Sequence, residues 1–230
     1  MTQDMIRIMR LLEFTDSTFP VGTFSFSNGL ETAAQEKLVY DADTLEQYTR
    51  TAAIQAAFTD GVAALCAWRA LGKDAYQQVC EADHYVMLVK MNAEARQMSV
   101  RMGKKLAEMS VHVFSNPVME RWLGDIQQEK VPGTYPVAQA IAFHACGLSD
   151  QDLFCSHQYG VINMILSAAL RCVKVSHYDT QRILFKLSGF TEADYQQASQ
   201  MGLDEMNAFT PQMDILASLH EKGKMRMFMN

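Results

Sequence analysis

The sequence predicts an all-α protein, a single helical bundle of roughly eight to ten helices with two long helices at its centre. Three observations point there. Apolar side chains recur at three- and four-residue spacing through most of the 230 residues, while alternating strand patterns of useful length are scarce. Hydrophobic residues make up 49% of the chain, enough to build a sizeable core. No repeat, low-complexity tract or long linker divides it, so residues 1–230 read as one domain.

Taken in order, residues 1–10 mix Asp4, Arg7 and Arg10 with Met5, Ile6 and Ile8, an amphipathic helix start rather than a secretory signal. Residues 11–31, LLEFTDSTFPVGTFSFSNGLE, set Pro20, Gly22 and Gly29 among Phe14, Phe19, Phe24 and Phe26. The Pro-Val-Gly turn interrupts any regular element. The four rings therefore either plug the end of the bundle or are presented to a partner. Ser25, Ser27 or Asn28 could cap the next helix, with Glu31 three residues beyond Asn28. Asp43 and Glu46 form a capping-box pattern ahead of the first long helix, and Gly72 is its stop. A second long helix is expected over about 74–113, ended by Asn116-Pro117. Shorter helices follow near 117–128, 135–146, 149–175, 179–187, 191–201 and 211–220, with Val131-Pro132-Gly133 the clearest interior loop. Ala53, Ala57, Gly61 and Ala64, and again Ala95, Ser99, Gly103 and Ala107, form stripes of small side chains. These either bring helix axes close together or simply fit a crowded core.

Composition excludes several functions. A net charge of −6 with no basic block argues against nucleic acid as a partner. The absence of a run of about 18 uncharged apolar residues argues against a membrane span. Cys66, Cys80, Cys146, Cys155 and Cys172 are odd in number and irregularly spaced, which fits reduced thiols in a cytoplasmic protein. No catalytic residue emerges. Gly103-Lys104-Lys105 lacks the rest of a phosphate-binding loop, and no GxSxG elbow surrounds Ser25 or Ser27. His220-Glu221 runs into Lys222-Gly223-Lys224 rather than a zinc motif, and there is no CxxC pair. Cys80 and His84 lie four apart on an expected helix and are the metal candidates; Cys155 and His157 form a second short pair. Two ligands alone do not make a tight site. The methionines Met87, Met91, Met98 and Met102 read as adaptable packing.

The stretch from Pro20 to Glu31 resembles the Pro-Val-Gly-x-Phe-Ser-Tyr-Ser-x-Gly-Leu-Glu signature of the urease accessory protein F (UreF) family. The resemblance continues through Glu94-Ala95-Arg96-Gln97-Met98-Ser99 with Gly103 and Leu106, and through Ala168-Ala169-Leu170-Arg171 with Gln181-Arg182-Ile183-Leu184. It ends with Phe209-Thr210-Pro211, His220-Glu221, Arg226 and Phe228. Phe26 replaces the family's usual Tyr, Ser176-His177 replaces a Gly-Gln, and Met229-Asn230 replaces an Arg-Ser ending.

The resemblance implies an all-helical, dimeric urease-maturation scaffold with no activity of its own. It implies binding to the accessory protein called D or H, recruitment of the accessory GTPase G, docking on apo-urease, and support of GTP-dependent nickel delivery. No tightly bound cofactor is implied, and nickel is at most transient. On that reading Phe24, Phe26, Glu31, His220, Glu221, Lys224, Arg226 and Phe228 are the partner-binding candidates. Pro20, Gly22, Ser25, Ser27, Gly29, Glu94, Arg96, Ser99, Gly103 and Arg171 shape the scaffold, with Glu94, Arg96 and Ser99 supporting the bundle interior or the dimer face. Residues 221–230 read as a docking tail that is flexible when free. The rival reading is an all-helical metal or cofactor enzyme built on Cys80, His84 and other histidines.

Overall fold

The computed structural model describes residues 2–16, 18–22, 26–207, 210–220 and 227–228. Among these there is no strand. The described residues form twelve α-helical segments, or eleven helices where one is counted as continuous through a π turn. That helix comprises α3 (Ala42–Ala56), the π turn Ala57–Gly61 and α4 (Val62–Leu71). Around it lie α1 (Thr2–Thr15), α2 (Leu30–Gln35), α5 (Tyr76–Val89), α6 (Ala93–Val113), α7 (Pro117–Gln127) and α8 (Tyr135–Ala145). The chain continues through α9 (Asp150–Cys172), α10 (His177–Ser188), α11 (Thr191–Ala198), a 3-10 turn at Leu203–Glu205 and α12 (Pro211–His220).

Local chemistry accounts for most boundaries. Asn116 caps α7 with Pro117 at its first turn, and Ser149 and Ser176 form capping boxes with Asp152 and Asp179. The Ser176-His177 replacement thus supplies a good helix start. Two expectations are corrected. The first long helix starts at Ala42, because Asp41 accepts from the Thr44 amide and Thr44 completes the box; Asp43 and Glu46 do not form it. The second long helix is two helices. Lys90 turns extended, Asn92 accepts from the Ala95 amide to start α6, and the Arg96 guanidinium donates to the Lys90 carbonyl. The second long central element is instead α9, whose 23 residues pack against α1, α2, α3, α4, α8, α10 and α11. Among the described residues it is the one helix long and apolar enough to cross a bilayer, and 56% of its apolar window is buried inside the protein.

Two large apolar clusters flank α9. One joins α4 to α8 around Met119, Trp122, Phe143 and Leu153, with Phe14 and Phe19 packed ring against ring at its edge. The other joins α2, α3, α9, α10 and α12 around Leu30, Leu45, Ile165, Ile183 and Leu216, and it includes Phe228. The small-residue stripes mark close approaches. A Cβ on Gly61 would come 2.8 Å from the Phe154 ring, and one on Gly103 would overlap the Gly133 carbonyl. The loop over Gly103 is held by Asp83, which is buried and accepts from the Gly133 and Thr134 amides at 2.8 and 2.7 Å. Nothing in the spacing around Asp83 marked it in advance.

Candidate functional site: a buried clasp between the chain ends

Five residues from separated blocks of the sequence meet at the edge of the second cluster. Glu31 lies in the first turn of α2, Glu94 in the first turn of α6, Arg171 in the last turn of α9, and His220 at the end of α12. Phe228 reaches back from the C-terminal segment.

Helix geometry places each of them. Gly29 precedes α2 with φ +79°, and a Cβ there would lie 3.3 Å from the Ala217 amide nitrogen. Only glycine allows both that backbone and so close a passage of α12. The Tyr48 hydroxyl donates to the Asn28 carbonyl at 2.7 Å and fixes the approach. Asn92, having capped α6, donates its amide to Asp214 at 3.0 Å and so ties α6 to α12.

The His220 ring stands between two carboxylates. Nε2 is 3.0 Å from Glu31 Oε2, and Nδ1 is 3.1 Å from both oxygens of Glu94. Glu31 is 4% exposed, Glu94 7% and His220 3%. Glu31 also accepts the Met227 amide at 2.9 Å and the Phe228 amide at 3.2 Å. The Phe228 ring lies under the Arg171 guanidinium, 4.4 Å from ring centre to Cζ. Glu31 therefore does not close the capping pattern expected with Asn28; its carboxylate is spent across the molecule on the far end of the chain. Burial, and next the Glu31 charge, push the Cys172 thiol up to about 11, so it adds no negative charge here.

A model of the UreF family matches residues 39–188. The chain is 43% identical over 225 residues to the urease accessory protein UreF of Photorhabdus laumondii, covering 98% of this chain and 99% of that one. It is 44% identical over 227 residues to that of Yersinia enterocolitica, covering 99% and 98%. It is also 44% identical over 223 residues to UreF 2 of Brucella canis, covering 97% and 92%. The chain belongs to the UreF family. It is therefore an accessory protein of urease maturation that works with other urease accessory proteins, and not an enzyme.

In this UreF-family chain the site residues named from sequence separate into groups. Glu31, Glu94, Arg171, His220 and Phe228 come together. Phe26, Ser27, Glu31, His220 and Phe228 are buried within the chain, so as the structure stands they serve its interior rather than a free surface. Pro20 lies in a bend over residues 19–21, and Gly22 follows it at φ +87°. Ser99 is buried and accepts from the Tyr135 amide at 3.2 Å beside Gly103. Phe24, Ser25, Glu221, Lys224 and Arg226 lie outside the described residues. Cys80 is buried while His84 is exposed, and burial pushes the Cys80 thiol up, away from the thiolate a metal needs. Cys155 and His157 likewise divide, one exposed and one buried. Among the described residues no three His, Cys, Asp or Glu side chains are grouped to hold a metal ion.

Sequence reasoning missed the outer face of α12. Ile215 and Leu219, four residues apart, are 58% and 48% exposed, and Met227 is 56% exposed. Alternation of buried Met213, Leu216, Ala217 and His220 with these two was the available signal.

Proposed function

We propose that this chain is a dimeric cytoplasmic scaffold for nickel insertion into urease. It binds the D/H-type accessory protein and the accessory GTPase G, and with them docks on apo-urease and supports GTP-dependent nickel delivery. Nickel is cargo passed within that assembly, and the chain keeps no tight cofactor. The observation that carries this reading is likeness over nearly the whole chain to proteins named as urease accessory proteins. The sequence adds that the chain has no phosphate-binding loop, so nucleotide chemistry falls to the GTPase. The exposed Ile215, Leu219 and Met227, next to the clasp, have the apolar character of a protein contact and are assigned to the D/H-type partner.

The test is co-purification of the tagged chain with a D/H-type protein and the GTPase, sized by light scattering. A defined assembly with two copies of each is expected. A chain that stays alone beside folded partners would overturn the reading. Removing residues 222–230 is expected to abolish capture of the D/H-type protein. Circular dichroism must accompany that deletion, since it also removes Phe228 from the second core cluster.

A further inference from the structure

We propose that the cavity beside the π turn, between Asp60 and His157, is a built site for bound water that bridges the two side chains by donating a hydrogen to each. The inference concerns the interior of this chain and stands apart from what the chain binds. Asp60 Oδ1 and His157 Nε2 are both buried and meet no hydrogen-bond partner among the described residues. His157 as a whole is only 3% exposed. Both residues line one cavity of about 50 Å³, together with Ser99, Met102, Tyr135 and Met164. Each is held from its other side. Lys90 Nζ lies 2.9 Å from Asp60 Oδ2, which leaves Oδ1 over. The Gln139 side-chain carbonyl lies 2.8 Å from His157 Nδ1, so that nitrogen carries the hydrogen and Nε2 offers a lone pair. Burial pushes the ring below its usual range, against the pull of Asp60, and so favours the neutral form.

Two orphaned acceptors in one cavity call for a shared donor, because a buried acceptor without a hydrogen is costly. Water fits on three counts. It carries two hydrogens, one for each acceptor. It needs about 10–15 Å³ of such space, so the cavity holds one, with room for a second in series. It is neutral, and Lys90 already balances the Asp60 charge. A metal ion or an ammonium would add uncompensated charge beside Lys90. A metal would also find one nitrogen and one carboxylate, since among the described residues no third His, Cys, Asp or Glu joins them. The π turn Ala57–Gly61 supplies the placement. One extra residue turns the rest of a helix by about 100° around its axis. Within that turn the Thr59 hydroxyl donates to the Gln55 carbonyl at 2.7 Å, which leaves Asp60 as the turn's polar contribution to the cavity. Water there joins the π turn to α9 and, through Gln139, to α8.

The experiment is a crystal structure of the full chain at a resolution that shows ordered water, paired with oxygen-17 relaxation dispersion in solution. The dispersion counts waters that stay long inside a protein and ignores exchangeable side-chain hydrogens. One peak within hydrogen-bond distance of both Oδ1 and Nε2, or two linked peaks, is expected, without anomalous scattering. A folded His157→Phe chain is expected to lose at least one long-lived water, because its ring fills the space and offers no acceptor. An empty cavity, or Oδ1 and Nε2 in direct contact, would overturn the proposal. So would an anomalous peak at metal–ligand distances of about 2.0–2.2 Å, or a dispersion unchanged in the folded variant. Should the variant fail to fold, the density in the unmodified chain still decides.

Discussion

Glu31 accepts from His220, Met227 and Phe228; if the carboxylate goes, the two amides lose that acceptor and His220 loses one of its two carboxylate neighbours. Removing one member of a buried charged set costs about 3–5 kcal/mol, because the remaining charge is left unmatched. Glu31→Ala is accordingly expected to lower stability by about 3 kcal/mol in urea denaturation. His220→Ala should be comparable, since it removes the buried ring that stands between Glu31 and Glu94. The double variant should cost less than the sum, because the Glu31–His220 contact is lost in both single variants and can be lost only once. Additivity within about 0.5 kcal/mol would mean the two side chains do not interact. The Phe228 ring is a different kind of contact. It belongs to the second core cluster and lies under Arg171, so Phe228→Ala removes packing as well as a cation–π contact. The effect is expected as lost exchange protection at Met227, whose amide Glu31 holds, before any large change in global stability.

At the scale of elements, two glycines in helices with the same backbone habit should respond oppositely to alanine. Gly103 lies where the Gly133–Thr134 backbone crosses α6, and a methyl there overlaps main-chain atoms that Asp83 holds in place. Gly103→Ala is expected to cost about 3 kcal/mol, the upper range for overpacking. Gly124 in α7 has nothing within 4 Å of its would-be Cβ, so Gly124→Ala should stabilise by up to about 1 kcal/mol. Thermal melts of the pair check both signs. Attachment of α1 should depend on acid. Its Arg7 meets Asp152 of α9 at 2.6 Å. Burial pushes the Asp152 carboxyl up, but hydrogen bonds from Arg7 and Ser149 outweigh it and hold it below the usual carboxylate range. A lowered carboxylate contributes stability above its ordinary value of about 3.8 and loses that contribution as pH falls through the lowered one. Limited proteolysis should thus cut α1 sooner under acid, and Asp152→Asn should do the same at neutral pH. Much of this layer was legible in advance. Periodicity located the helices, Asn116-Pro117 and Ser149 marked two starts, and the small stripes marked close crossings. The break at 90–92 was not read, because apolar spacing continues across it and only the Asn92 cap betrays it. The residues of the clasp could be named from the sequence, yet their meeting could not, because contacts 126 to 197 residues apart leave no local pattern.

Across the whole molecule, the clasp decides which part of the C-terminal region can meet another protein. Its inward face is committed: Leu216, Ala217 and His220 pack on α2 and α6, and Phe228 seals the second cluster. Its outward face is not, since Ile215 and Leu219 present two aliphatic side chains one helical turn apart, and Met227, whose amide Glu31 holds, is exposed as well. The motif residues at the chain ends then act indirectly, by holding α12 and the segment in the pose that displays those three. This distinction can be measured. Ile215→Asp with Leu219→Asp should leave the helical content and exchange protection of Met227 unchanged, because neither side chain contributes to the core. It should weaken capture of the D/H-type protein at least tenfold, as expected when central apolar contacts are replaced by charge. Glu31→Ala should weaken the same capture while also freeing the segment. If instead the double substitution leaves capture intact and Glu31→Ala abolishes it, the buried residues would have to reach the partner themselves, and the clasp would have to open for the assembly to form.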